Sequence, residues 1–267
     1  MKLIVTGSSS AGNGYILQAS DNRSLLLEAG VPFSTTKKAL GYRVSQIDAC
    51  FITHEHGDHA RRADEILAQS IAPVFASKGT IEAIEEARRR QGRNTPRRPM
   101  TPCQPMDIIK AGAFQVIPTL LAIEDGGKQA ITHDAAEPLC FQIYHPEMGI
   151  ALFATDTYTL PCRFTLVNHV MIECNYDAAT LDRLTQAGRI DHRRRERTIQ
   201  SHMSLDNCKR QLTTNIDLAY VQDITLLHLS DTNGDPERFA DEIQRETGKP
   251  TRVATAGAVF EFNKERF

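Results

Sequence analysis

The stretch ITHEHGDHARR, Ile52 to Arg62, puts three histidines, one glutamate and one aspartate within six positions. It follows the apolar run Ala49-Cys50-Phe51-Ile52, which reads as a buried strand. The polar cluster therefore falls where that strand leaves the core. Titratable groups crowded at such a place are costly unless something binds them. His54, His56, Asp58 and His59 form the pattern H-x-H-x-D-H. In an extended segment, residues two apart point the same way, so His54 and His56 can grip one ion. Asp58 and His59 open the next helix and can face a second. Imidazole with carboxylate suits zinc, manganese or iron.

The rest of the chain bounds what such a site serves. Its 267 residues are 41% hydrophobic, enough for a real core and too apolar for disorder. A net charge of -2 gives no global attraction to nucleic acid or membrane, so any such case rests on local clusters. Cys50, Cys103, Cys140, Cys162, Cys174 and Cys208 are scattered without a C-x-x-C pair. That spacing signals neither a zinc ribbon nor a disulfide framework. The opening MKLIVTGSSSAGN reads as a first strand rather than a signal peptide. No apolar stretch approaches bilayer length. A soluble cytoplasmic protein is the expectation.

Short β-rich runs are predicted at 3–6, 15–19, 24–28, 49–52, 73–76, 114–118, 139–144, 150–154, 170–173, 224–229 and 251–262. Helical patterns fall at 34–40, 58–69, 80–91, 177–186, 204–215 and 236–247. This order predicts mixed sheets covered by helices, an α/β (α+β) fold in one domain spanning 1–267. The proline-rich segment 93–110 and the segment 122–138 read as irregular loops at the mouth of a site.

A two-metal centre needs more ligands at strand ends. Asp156 in FATDT and His228 in LLHLSD occupy such places, and His133 in ITHDAAEP follows an irregular loop. Singly they read as a loop histidine, a turn aspartate and a core histidine; the set in this order carries more weight. With GSSSAGN (7–13), IECNYD (172–177), SHMS (201–204) and HLSDTN (228–233), the chain resembles the metallo-β-lactamase superfamily over nearly its whole length. Within it, the chain looks most like the tRNase Z, PhnP and YycJ/WalJ-like group.

The resemblance implies a four-layer αββα sandwich with two divalent ions at one edge, zinc usually and manganese in some relatives. By that resemblance His54, His56 and His133 hold the first ion. Asp58, His59 and His228 hold the second, and Asp156 bridges them with a water or hydroxide between. It further implies a catalytic set of Asp58, His202 as proton donor, and Glu173 orienting His202; without it, Glu173 reads equally as a helix cap. Asp134 and Asp231 read either as partners that fix imidazole tautomers or as turn residues.

The implied function is a phosphodiesterase acting on nucleotides or nucleic acid through an ion-held hydroxide. The alternatives are a thioester or lactone hydrolase on the same fold, or a non-catalytic metal-binding module. A β-lactamase is disfavoured, as is a flavodiiron enzyme, which would carry glutamate in place of His56. No basic arm of the tRNase Z kind is visible. Arg88, Arg89, Arg90, Arg93, Arg97 and Arg98 form one basic cluster, and Arg193, Arg194, Arg195 and Arg197 a second just before His202. Arginine engages phosphate through a bidentate fork, so the second cluster is compatible with a phosphate-bearing substrate. Homodimers are common in the group, and a homodimer is the assembly to test.

Overall fold

A computed structural model describes residues 1–92, 98–125, 128–230 and 232–264. In chain order the elements are β1 (Lys2–Gly7), β2 (Gly14–Gln18), β3 (Ser24–Leu27), α1 (Phe33–Ala39), a 3-10 turn (Val44–Gln46), β4 (Ile47–Phe51), α2 (Gly57–Ala60), α3 (Ala63–Gln69), β5 (Val74–Ala76), α4 (Lys78–Arg90), β6 (Thr101–Pro102), β7 (Ile109–Ala111), β8 (Phe114–Leu120), β9 (Ala122–Asp125), β10 (Lys128–Ile131), β11 (Leu139–His145), β12 (Gly149–Ala154), β13 (His169–Glu173), α5 (Ala178–Gln186), α6 (His192–Ser201), α7 (Leu205–Asn215), β14 (Asp223–Leu227), α8 (Pro236–Thr247), β15 (Thr251–Val253) and β16 (Val259–Glu261). The chain divides into two compact units. One comprises 1–120, 135–149 and 255–267, the other 121–134 and 150–254.

In the first unit a sheet runs β16-β1-β2-β3-β4-β5-β6. The pairs from β16 to β3 are antiparallel and those from β3 to β6 parallel. The sequence explains the change. β1 alternates buried with more exposed positions, whereas β3 and β4 are buried at every position, as parallel strands usually are. Phe33, Ile66, Leu67 and Val74 pack into the core beside them. β7, β8 and β11 form an antiparallel set.

In the second unit β12, β13, β14 and β15 are all parallel. Parallel neighbours need long crossovers. Helices α5 to α7 supply one between β13 and β14, and α8 supplies the next. The register pairs Ala154 with Ile172 and Glu173 with Leu227. The chain therefore leaves β12, β13 and β14 along one edge, the edge where open α/β sheets present ligands.

The structure departs from the expected elements in several places. The helix predicted over 58–69 is two helices, α2 and α3. The carbonyls of Asp58 and His59 accept from Asn13 N (2.7 Å) and Ala29 N (2.6 Å) instead of continuing the helical ladder. The run 251–262 is two strands, separated by a turn closed by Ala258 N and Thr255 O. The segment 122–138 contains the β9–β10 hairpin, and the Arg-rich stretch before His202 is the helix α6. Within 93–110, residues 93–97 lie outside the described residues, and the remainder carries β6 and the start of β7. Among the described residues, no helix is long and apolar enough to cross a membrane.

The two carbonyl contacts of α2 depend on one glycine. A Cβ on Gly30 would collide with the Asp58 carbonyl oxygen and come within 2.6 Å of Asn13 N. Gly30→Ala is expected to destabilise by about 1–3 kcal/mol, the usual cost of overpacking, and to displace Asp58 and His59. Gly57→Ala is the control, because a Cβ there meets nothing within 4 Å. Thermal melts of both variants test this; equal melting temperatures would show that α2 does not rely on the close approach.

Candidate metal centre

In the first unit, the site residues begin where β4 ends. Thr53 and His54 are fully buried, and His56 caps the short helix that holds Asp58 and His59. The His54 ring centroid lies 4.7 Å from that of His56 and 4.1 Å from that of His59. Imidazoles so close, two of them without solvent exposure, are of the kind that bound cations would stabilise.

Their orientation is set from behind. The Thr53 hydroxyl donates to Glu28 Oε1 at 2.6 Å and lies 2.9 Å from His54 Nδ1. A hydroxyl has one proton. If it serves Glu28, His54 must donate through Nδ1, which makes Nε2 its ligating nitrogen. Glu28 Oε1 also lies 3.4 Å from His59 Nδ1. One buried carboxylate thus braces two candidate ligands, a common support for metal-binding histidines. Asn13 adds a third brace: its Nδ2 donates to Asp58 Oδ2 at 3.2 Å and lies 3.0 Å from His59 Nε2.

In the second unit, the candidate ligands sit at strand ends. Asp156 follows β12 and His228 follows β14, both with left-handed backbone (φ 49° and 52°). His133 follows the β9–β10 hairpin, and its Nδ1 donates to the Ser201 carbonyl at 3.0 Å, turning Nε2 outward. That Nε2 lies 3.8 Å from Asp156 Oδ2, and His228 Nδ1 lies 3.6 Å from Asp156 Oδ1. Asn175 donates to the His228 carbonyl at 2.7 Å, with the same Nδ2 3.0 Å from His228 Nδ1.

Glu173 and His202 form a pair beside these ligands. His202 Nδ1 lies 2.6 Å from Glu173 Oε1. The other oxygen, Oε2, accepts from Thr157 N at 2.9 Å and Met203 N at 3.3 Å. Burial pushes the Glu173 carboxyl up, but the charge and hydrogen bond of His202 outweigh it and leave the group below its usual range. Burial likewise works against charge on His202, and Glu173 more than reverses it, raising the imidazole above its ordinary value. The pair favours a carboxylate and an imidazolium. Ligand-type atoms of Asp156, Glu173, His202 and His228 all lie within 4.8 Å of one another.

Each unit therefore holds its share of the sequence-predicted residues together. The histidine and carboxylate donors are of the kind that hold divalent transition metals. Glu28, Thr53, Asn13 and Asn175 escaped the sequence reading as functional residues. Asn13 and Asn175 stand inside GSSSAGN and IECNYD, and Glu28 is a carboxylate ending the apolar run Leu25-Leu26-Leu27. The Ser201 carbonyl accepts from His133 Nδ1, while Asp134 Oδ1 lies 3.5 Å from His133 Nε2, and the Asp134 carboxylate also accepts from Arg197 Nε and Ser201 Oγ, each at 3.2 Å. Asp231 lies outside the described residues.

The metallo-β-lactamase superfamily model matches residues 9–162, more than half of the sequence. The chain belongs to the metallo-β-lactamase superfamily. Its mixed β-sheets flanked by helices are the α/β sandwich of that superfamily, the fold class expected from the sequence. Among solved structures, the chain is similar to the metallo-β-lactamase fold protein YhfI from Bacillus subtilis (TM-score 0.68, 18% identity, 97% of this chain and 98% of that one). It is also similar to zinc-bound PqqB from Methylobacterium extorquens (TM-score 0.69, 12% identity, 98% and 100%). A third neighbour is the short form of human tRNase Z (TM-score 0.61, 14% identity, 98% and 99%). Among curated sequences, exodeoxyribonuclease YycJ of Bacillus anthracis is 26% identical over 184 residues, covering 66% of this chain and 64% of that protein. Exodeoxyribonuclease WalJ of Streptococcus pneumoniae is 23% identical over 198 residues, covering 72% and 69%. The match thus spans less than two thirds of the YycJ protein.

Proposed function

We propose that the protein is a cytoplasmic, metal-dependent phosphodiesterase that cleaves nucleotide or nucleic-acid phosphodiester bonds, with residues 1–267 working as one domain. In this reading His54, His56, Asp58, His59, His133, Asp156 and His228 hold two divalent ions, zinc or manganese. Membership of the superfamily supports that ligand set, as does the bracing of the ligands within each unit by Glu28, Thr53, Asn13, Asn175 and the Ser201 carbonyl. Two such ions would supply positive charge to the phosphoryl oxygens and bring the pKa of water to roughly 7.

The observation that carries the phosphodiester reading is the Glu173–His202 pair, 2.6 Å across and beside Asp156 and His228. Hydrolysis forms a bond from water oxygen to phosphorus and breaks the bond to an alcohol oxygen, which leaves needing a proton. His202, oriented by its contact with Glu173, is the group to give it. Glu173 engages Nδ1, so Nε2 is the nitrogen that transfers the proton. The nuclease relatives support the same substrate class.

Hydrolysis of bis(p-nitrophenyl) phosphate by protein reloaded with zinc or with manganese tests the reading. Metal-dependent release of nitrophenolate is expected. Protein that binds two ions and releases none with either metal would redirect the assignment to a thioester or lactone substrate.

A further inference from the structure

Glu173 and His202 are separated in the chain by a helical hairpin, α5 and α6. Helix α5 and the segments on either side of it share a small core: Tyr176, Leu181 and Ile190, with Leu184 against them. Arg195 on α6 pairs with Asp182 on α5 at 2.7 Å, and Arg197 with Asp134 at 3.2 Å. The remaining arginines behave differently. Arg183, Arg189, Arg193 and Arg194 are exposed, and among the described residues none pairs with a carboxylate.

Two of these stand in an unfavourable place. A helix N-terminus carries partial positive charge and disfavours cations. The first turn of α6 nevertheless holds Arg193 and Arg194 and no acid, with only Asp191 at the N-cap to offset them. From 189 to 197 there are five arginines against two acids. A solvated helix would be more stable with this charge order reversed. Such a break of a local rule without a compensating contact is expected where a surface meets something else. What it would meet is anionic, and α6 leads directly into His202, which is its C-cap.

The described members of the other arginine cluster are already engaged. Arg88 is buried against Asp64, Arg89 and Arg90 pair with Glu86, and Arg98 donates to the carbonyls of Ser70, Ile71 and Ala72. Arg93 and Arg97 lie outside the described residues. A cavity of about 460 Å³ lined by Asp177, Thr180, Arg183, Asn233, Gly234 and Arg238 is a poorer anion site, because Arg238 is held by Asp177 at 3.2 Å.

We propose that the α5–α6 hairpin binds the sugar-phosphate backbone of a polynucleotide, through Arg193 and Arg194 with Arg183 and Arg189 beside them, and delivers one of its phosphodiesters to His202. The proposal rests on the phosphodiesterase reading and narrows its substrate from any phosphodiester to a strand several nucleotides long. Arg193 lies about 12 Å along the α6 axis from the His202 end. The arginines therefore meet phosphates away from the one being cleaved. A mononucleotide, cyclic nucleotide or nitrophenyl ester is too short to reach them.

The test compares the parent protein with Arg193→Gln/Arg194→Gln, loaded with the same metal. Substrates are bis(p-nitrophenyl) phosphate, a DNA dinucleotide, a 12-nucleotide single strand of DNA and its RNA counterpart. The parent should show KM falling with strand length. The double variant should keep its parent rate on the nitrophenyl ester and the dinucleotide, while KM for the 12-nucleotide strands rises several-fold. The slope of log Kd against log salt should fall by about one per lost phosphate contact. Arg193→Lys/Arg194→Lys should restore most of the salt slope. Because both positions are exposed and oppose the helix dipole, the glutamine variant should melt no lower than the parent. An unchanged KM and salt slope on the long strands, with the nitrophenyl ester still cleaved, overturns the hairpin proposal and leaves the phosphodiesterase intact. A parent that cleaves no phosphodiester overturns the reading beneath it as well.

Discussion

Asp58→Ala is expected to leave the protein folded, with one bound ion fewer, and without measurable hydrolysis. An ion that neutralises phosphoryl charge is worth several kcal/mol, which corresponds to a fall on the order of 10³-fold or more in rate. The Asp58 side chain is partly exposed, accepts from Asn13 Nδ2 at 3.2 Å and lies 3.3 Å from His59 Nε2. Its removal should therefore cost the fold less than removal of a fully buried ligand. His59→Ala should show the same loss of activity with a larger loss of stability, because His59 is fully buried against Glu28 and Asn13. Elemental analysis of metal content, measured beside turnover, decides the matter. Full activity with one ion per chain would exclude a two-ion mechanism.

The second large effect concerns the proton donor. His202→Ala should retain both ions and slow turnover by roughly 10²–10⁴, the usual contribution of general acid catalysis. Glu173→Gln should act through His202, lowering kcat by about 10–100-fold as supporting residues do, with KM nearly unchanged. A substrate with a good leaving group needs little protonation. Nitrophenyl esters should therefore be hurt far less by either change than an alkyl phosphodiester. A purely structural role for Glu173 would depress both substrates equally, and metal loss in His202→Ala would reassign that histidine to the ligand set.

Much of this was legible because short-range rules dominated where it mattered. Alternation across His54 and His56, just past an apolar run, needs only strand geometry to be read. Asp156 and His228 were visible because parallel strands end abruptly in polar residues. The break between α2 and α3 was not legible. It is decided by Asn13 and Ala29, which take the carbonyls of Asp58 and His59 from 45 and 30 positions away in the chain. Glu28 was hidden for the same reason: its partners Thr53 and His59 come from a different strand and helix. α6 was not among the predicted helices because Ile199 alone gives it no apolar stripe, and it is held instead by the Asp191 cap and by the ion pairs of Arg195 with Asp182 and Arg197 with Asp134.

Glu28, Asp156 and His228 share one further property: each holds its backbone at positive φ, at 67°, 49° and 52°. For L-residues that region costs roughly 1–2 kcal/mol, somewhat less for aspartate and histidine. Glycine would ease the backbone at all three places, but each side chain is nearly fully buried, and its loss would leave a cavity and break the contacts described above. The fold thus holds local strain where a buried side chain must be aimed. Under the proposed function, two of the three are ligands and the third is their brace, so the same backbone strain marks the places where aim outweighs ease of folding.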